Sequence, residues 1–167
     1  MLNNFLRTNK IAAAVLAVIR VYIGVTWLKA GIGKLTGGFE VQGFLQGAIS
    51  QAAGEHPAVQ GWWAAFLEGF ALPNHTLFAQ LVMWGEILAG IALILGLFTT
   101  AAAFGGILMN FAFLFSGTVS TNPQMVILTV FILAAGINAG RYGLDHWIVP
   151  FMQKRLPHIR KGQLAHT

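Results

Sequence analysis

Residues 11–30 read IAAAVLAVIRVYIGVTWLKA, and residues 77–98 read LFAQLVMWGEILAGIALILGLF. Each is a run of about 20 mostly apolar residues, the length an α-helix needs to cross roughly 30 Å of hydrocarbon. Each also carries an ionisable side chain near its middle, Arg20 in the first and Glu86 in the second. These two stretches decide the fold class, an all-α membrane protein. The rest of the chain agrees: of 167 residues, 56% are hydrophobic and 9% charged. A soluble domain carries about a quarter charged residues, so there is too little polar surface here for one.

Two shorter apolar runs follow, at roughly 101–115 and 125–139, and they either borrow flanking residues or draw the bilayer to fit them. Thr99-Thr100 is expected to turn the chain between the second and third spans, and Ser116 to Pro123 between the third and fourth. The expectation is a four-transmembrane-helix bundle over residues 1–150 and a basic tail over 151–167. Arg7 and Lys10 precede the first span, and Lys154, Arg155, Arg160 and Lys161 follow the last. By the positive-inside rule both termini are then cytoplasmic. The loop over residues 35–76 becomes extracytoplasmic, and it holds Glu40, Glu55 and Glu68 without Lys or Arg. Arg20 interrupts the apolar core of the first span and no small-x-small cleavage site follows, so that span reads as a retained helix rather than a signal peptide.

The long loop has helical periodicity. Val41, Phe44, Leu45, Ala48, Ile49 and Ala52 form one apolar stripe, and Val59, Trp62, Trp63, Phe66, Leu67 and Phe70 a second. Pro57 suits the first turn of the second helix, and Pro73 helps to stop it. Two amphipathic helices are expected, lying on the membrane surface or folding over the bundle mouth.

Several chemistries are excluded or disfavoured. With no cysteine there are no disulfides, thiolate metal sites, cysteine nucleophiles or covalent c-type haem. His56 and His75 fall in the loop and His146, His158 and His166 follow the fourth span, which argues against a bis-histidine haem inside the bundle. No metal is expected. The net charge of +5 is concentrated at span ends rather than on a nucleic-acid-binding face, so no nucleic-acid partner is expected.

The charges inside the spans carry the functional argument, since an ionisable group at the bilayer centre is costly unless paired or hydrated. Counted from the apparent start of each antiparallel span, Arg20 and Glu86 share a depth, which predicts an Arg20–Glu86 pair. Asn110 falls near the same level. Ala13, Ala17, Arg20, Gly24, Trp27, Gly31 and Lys34 line one helical face, small and polar, as suits a helix contact or cavity wall. Glu86 stacks similarly with Met83, Gly90, Leu93 and Leu97. Gly136 and Gly140 form a small-xxx-small pattern in the fourth span. Each residue also has a purely structural reading: the ion pair as a register lock, Asn110 as an interhelical donor, Lys34 as a snorkelling anchor, Trp27 and Trp84 as packing or interface residues.

Three stretches resemble the DoxX/DoxD family of small four-helix bacterial and archaeal membrane proteins. They are Arg20-x3-Gly24-x6-Gly31-x2-Lys34-Leu35, then Glu86-x3-Gly90 with Leu95-Gly96-Leu97-Phe98-Thr99, and last Gly140-Arg141-Tyr142-Gly143-Leu144-Asp145. The long first loop is more similar to the DoxD-type members. The resemblance implies quinone-linked oxidation, such as a subunit of a thiosulfate:quinone oxidoreductase, with quinone as cofactor and a second redox subunit as partner. On it rests the expectation that Arg20 and Glu86 form a polar quinone site in which Glu86 exchanges protons. Asn110 would hydrogen-bond a carbonyl, and Lys34 with His75 and Trp27 would meet a small substrate from the outer face. Arg141 and Asp145 read as structural, with Asp145 pairing with Arg141 or capping the tail helix. The alternatives are a non-enzymatic scaffold whose basic tail docks a soluble redox partner or anionic lipid, a homo-oligomer among its forms, and, ranked last, a small transporter.

Overall fold

A computed structural model describes residues 1–155. Among these residues the regular structure is all helical, without strands. Helix α1 (Leu2–Thr8) ends at Asn9, whose side-chain oxygen accepts the backbone N–H groups of Ile11 and Ala12 and so caps α2 (Lys10–Gly37). No helix breaker intervenes for 28 residues, and α2 stops only where Gly38 takes φ +76°. At 1.5 Å per residue it is about 42 Å long, longer than the hydrocarbon layer is thick. The sequence expectation that the first helix ends near Ala30 is therefore too short, because hydropathy marks the apolar segment and not the helix.

Glu40 accepts the Gly43 N–H and caps α3 (Val41–Ser50). Helix α4 (Gly61–Phe66) passes into a π-helical turn over Leu67–Ala71. Pro57 thus precedes the second loop helix instead of opening it. Helix α5 (His75–Leu95) ends at Gly96 in the left-handed region, and α6 (Thr99–Phe115) begins directly after Phe98. The turn lies at Gly96–Phe98 and not at Thr99-Thr100, since Gly96 supplies the positive φ that the reversal needs. Helix α7 (Asn122–Ala135) has proline in its first turn and ends where Gly136 takes φ +57°. A 3₁₀ turn, Gly136–Gly140, leads toward α8 (Asp145–Arg155). Gly136 and Gly140 therefore do not form a small-residue stripe on one α-helix. Of the basic cluster over residues 154–161, Lys154 and Arg155 end α8, while Arg160 and Lys161, like His158 and His166, lie outside the described residues.

Three segments are long and apolar enough to cross a membrane, Lys10–Gly37, His75–Leu95 and Asn122–Gly140; α6 is equally apolar but has 17 residues. Helix α2 packs on α5, α5 on α6, α6 on α7, and α7 back on α2. Polarity is distributed the opposite way from a soluble protein. Val18, Val25, Leu81, Leu88, Leu108 and Val130 face outward, while Arg20, Glu86, Asn110 and Thr129 are buried. That arrangement suits hydrocarbon surroundings, where apolar exposure is free and unpaired polar groups are expensive.

Glycine sets the closest contact. A methyl group added at Gly90 would stand 2.6 Å from the Leu28 nitrogen, and one at Gly24 would stand 2.9 Å from the Ile94 nitrogen. Backbone meets backbone along this α2–α5 seam, as small-residue interfaces in membranes allow. Beside it, Leu16, Ile23, Trp27, Leu93 and Ile132 form the main apolar core. A second core joins α3 to the π turn through Val41, Leu45, Ala48, Leu67 and Ala71, packed against Phe78 of α5. Trp63 of α4 donates its indole N–H to Ser116 Oγ at the end of α6 (2.9 Å). The loop helices thus fold onto the ends of α5 and α6.

Candidate functional site

The seam fixes the register of the two charged helices. Gly31 stands against Ile87 and Met83, Gly24 against Gly90 and Ile94, and Arg20 against Gly96. Glu86 therefore sits level with Gly31, about 11 residues and about 16 Å along α2 from Arg20. The expected Arg20–Glu86 pair does not form. The starts of the apolar runs suggest a shared depth, but α2 extends about two turns beyond its run at the loop end and shifts the alignment.

Glu86 pairs instead with Lys34, whose Nζ lies 2.9 Å from Oε1 and 2.8 Å from Oε2. Glu86 is 1% exposed and the Lys34 side chain 20%, so the pair is largely withdrawn from the surroundings. Phe39 and Phe113 flank the ammonium, their ring centroids 5.3 and 5.5 Å from Nζ, adding cation–π attraction. Lys34 reads as an anchor in sequence because it lies at the end of the apolar run. The packing of Gly31 against Ile87 turns it inward, one turn farther on.

A cavity of about 160 Å³ opens beside this pair. Thr26, Trp27 and Ala30 line it from α2, and Thr118, Ser120, Thr121 and Asn122 from the α6–α7 connection. Asn122 is held by two contacts, accepting from Asn110 Nδ2 (2.8 Å) and donating to the Thr118 carbonyl (3.0 Å). Asn110 accordingly acts one layer behind the wall, fixing a lining residue. Two buried polar atoms nearby have no hydrogen-bond partner, Trp27 Nε1 and Asn110 Oδ1. The indole edge fits because α6 offers Gly106 opposite it, where an added methyl would stand 2.9 Å from Nε1. Phe113 also lines an apolar cavity of about 100 Å³ under α3 and α4, so one ring borders a polar and an apolar space.

His75 is not among the residues lining this cavity; its Nδ1 lies 3.1 Å from the Leu72 carbonyl at the start of α5. In sequence, Thr118 to Thr121 and the first residue of α7, Asn122, look only like a turn. A usable signal was present, since their hydroxyl-rich composition falls at the same end of the spans as Lys34.

Arg20 belongs to a separate, structural cluster. Its Nη1 donates to the Ala139 carbonyl (3.3 Å) and its Nη2 to the Tyr142 carbonyl (3.1 Å). Gly96 and Gly143 lie so close to the guanidinium that neither position has room for a side chain. Asp145 accepts the backbone N–H groups of Phe98 (2.6 Å) and Thr99 (2.8 Å). It therefore caps α6, neither pairing with Arg141 nor capping its own helix by these contacts. The cap also holds Phe98 in its left-handed conformation at φ +47°. The stretch from Gly140 to Asp145 is thereby explained: its Tyr142 carbonyl binds Arg20, Gly143 admits the guanidinium, and the Asp145 carboxylate starts α6.

Among the described residues no cluster of three or more His, Cys, Asp or Glu could hold a metal ion. No curated protein and no solved structure matches the chain. The model of the DoxX family matches residues 15–118, a segment that contains Arg20, Lys34, Glu86 and Asn110 and ends before Asn122 and Asp145. With that match covering more than half of a chain built from apolar helices, the protein belongs to the DoxX family and is a membrane protein.

Proposed function

We propose that this protein binds a quinone head group, or a small polar substrate oxidised with it, beside the Lys34–Glu86 pair. In this reading it is a DoxD-like membrane subunit of a quinone-linked oxidation, assembled with a second redox subunit in a bacterial or archaeal cell membrane. Helices α2, α5, α6 and α7 would cross as a four-helix bundle, with α3 and α4 outside and both termini in the cytoplasm. The observation that carries the reading is a buried ion pair opening onto a hydroxyl-lined cavity.

The residues present fit such a group. An ammonium has three N–H donors, and the two carboxylate oxygens of Glu86 account for two, which leaves one for a ligand carbonyl. Ser120 and Thr121 bring hydroxyls that donate or accept, and Trp27 adds an aromatic wall. Phe113 leads from this polar space toward an apolar one, in keeping with an amphipathic ligand. A quinone, when bound, supplies two-electron, two-proton redox chemistry. Glu86 would hold and release a proton at its carboxylate as Lys34 shifts its donors between Glu86 and the ligand.

A double-mutant cycle tests this. Removing one member of a buried pair costs about 3–5 kcal/mol, whereas removing both is often nearly neutral. Lys34→Met alone is expected to lower stability, and Lys34→Met with Glu86→Met to restore it. Binding of a short-chain ubiquinone analogue should be lost in the restored double variant. A double variant that folds and still binds the analogue with unchanged affinity refutes the site.

A further inference from the structure

At the opposite end of the molecule, α1, the 3₁₀ turn and α8 line an open cleft of about 370 Å³, apart from the Lys34–Glu86 site. Arg7, Arg141 and His146 line it together with the apolar Ile137, Val149 and Pro150. From this we infer that it is a binding site for the head group of an anionic phospholipid.

The charge at the site is available. Arg141 is partly buried, yet its guanidinium makes no hydrogen bond or ion pair among the described residues. Arg7 spends only Nε on the Ala134 carbonyl (3.1 Å), leaving its terminal nitrogens free to donate. The one carboxylate in the wall, Asp145, already has both oxygens engaged by the N–H groups of Phe98 and Thr99. Two arginines thus line a cleft in which, among the described residues, no acid is at liberty to compete, and guanidinium matches phosphate oxygens in a bidentate fashion.

The surroundings favour a lipid over a soluble phosphate. Tyr142, Trp147 and Phe151 are 53%, 68% and 60% exposed on the same segment. Aromatic side chains of this kind gather at the headgroup level of membranes. The apolar part of the wall, with Ile137 half exposed beside it, offers a path for acyl chains that a free anion would not need. Basic pockets between membrane helices are suited to anionic head groups.

The test is a titration of the full-length purified protein in detergent with phosphatidylglycerol and with phosphatidylcholine, read by native mass spectrometry. Phosphatidylglycerol is expected to bind preferentially. Each lost cation should weaken it about fivefold, so Arg141→Gln gives about fivefold and Arg7→Gln with Arg141→Gln about thirtyfold. Lys29→Gln, at the far end of α2, should leave binding unchanged. The single Arg141→Gln variant has no side-chain bond to lose, so it keeps the test decisive if the double variant unfolds. Equal binding of the two lipids, or wild-type affinity in Arg141→Gln, overturns the site. Full displacement of phosphatidylglycerol by millimolar inorganic phosphate overturns the lipid assignment.

Discussion

Replacing Gly90 with alanine asks whether the α2–α5 seam is as close as it is drawn. The new methyl would stand 2.6 Å from the Leu28 nitrogen, 2.8 Å from the Gly24 carbonyl oxygen and 2.9 Å from the Leu28 Cα. Ordinary carbon contacts begin near 3.5 Å, so α5 must withdraw by most of an ångström, and all three neighbours are backbone atoms that cannot rotate away. Overpacking of this kind costs about 1–3 kcal/mol. Alanine returns up to about 1 kcal/mol through its better helix propensity, leaving a net loss of up to about 2 kcal/mol. For a chain of this size that is up to roughly 8 °C in the unfolding midpoint. Gly33 of α2 provides the control, since a methyl there meets nothing within 4 Å and only the propensity gain remains. Thermal unfolding in detergent, followed by tryptophan fluorescence, should show Gly90→Ala below wild type and Gly33→Ala at or above it. If the two variants unfold at the same temperature, the backbone-to-backbone contact is not there, and the register argument that separates Arg20 from Glu86 fails with it.

Other perturbations separate the two ends of the molecule. Asp145→Ala removes both acceptors that start α6 and should cost about 2–4 kcal/mol, with hydrogen exchange quickening first at the amides of Phe98 and Thr99. Arg20→Met leaves the Ala139 and Tyr142 carbonyls without their donors, so it should lower stability while folded protein keeps its affinity for a quinone analogue; a selective loss of affinity would put Arg20 back into the site. Ser116→Ala breaks the bond from Trp63 and should cost about 1 kcal/mol, with a shift in tryptophan emission and faster proteolysis between α3 and α4.

Much of the architecture could be read from composition and periodicity, because those report which faces meet lipid. The stripe from Ala13 through Arg20, Gly24, Trp27 and Gly31 to Lys34 does turn inward, and Met83, Glu86, Gly90 and Leu93 are buried opposite it. Most of both apolar stripes in the long loop falls on helical segments, with Ala52 and Val59 just outside them. What periodicity cannot supply is the axial offset between helices. Hydropathy shows where lipid contact begins, but α2 continues past that point, and an offset of three turns exchanges one ion-pair partner for another. The Asp145 cap was hidden for a different reason. Its targets lie 46 and 47 residues earlier in the chain, and no local pattern links a carboxylate to amides so distant.

The contrast between the two buried basic residues points to where chemistry belongs. Arg20 is always charged in practice, its terminal nitrogens are spent on fixed carbonyls, and glycines at positions 96 and 143 close tightly around it. Such a group holds a helix end in place and has little capacity left to bind or release anything. Lys34 and Glu86 touch each other, and one side of the pair borders a cavity with hydroxyl walls. A pair kept only to fix register would gain nothing from that cavity, since closing it with apolar side chains would spare the polar groups lining it. The open side is therefore the feature on which the proposed ligand site at the Lys34 end of the helices rests.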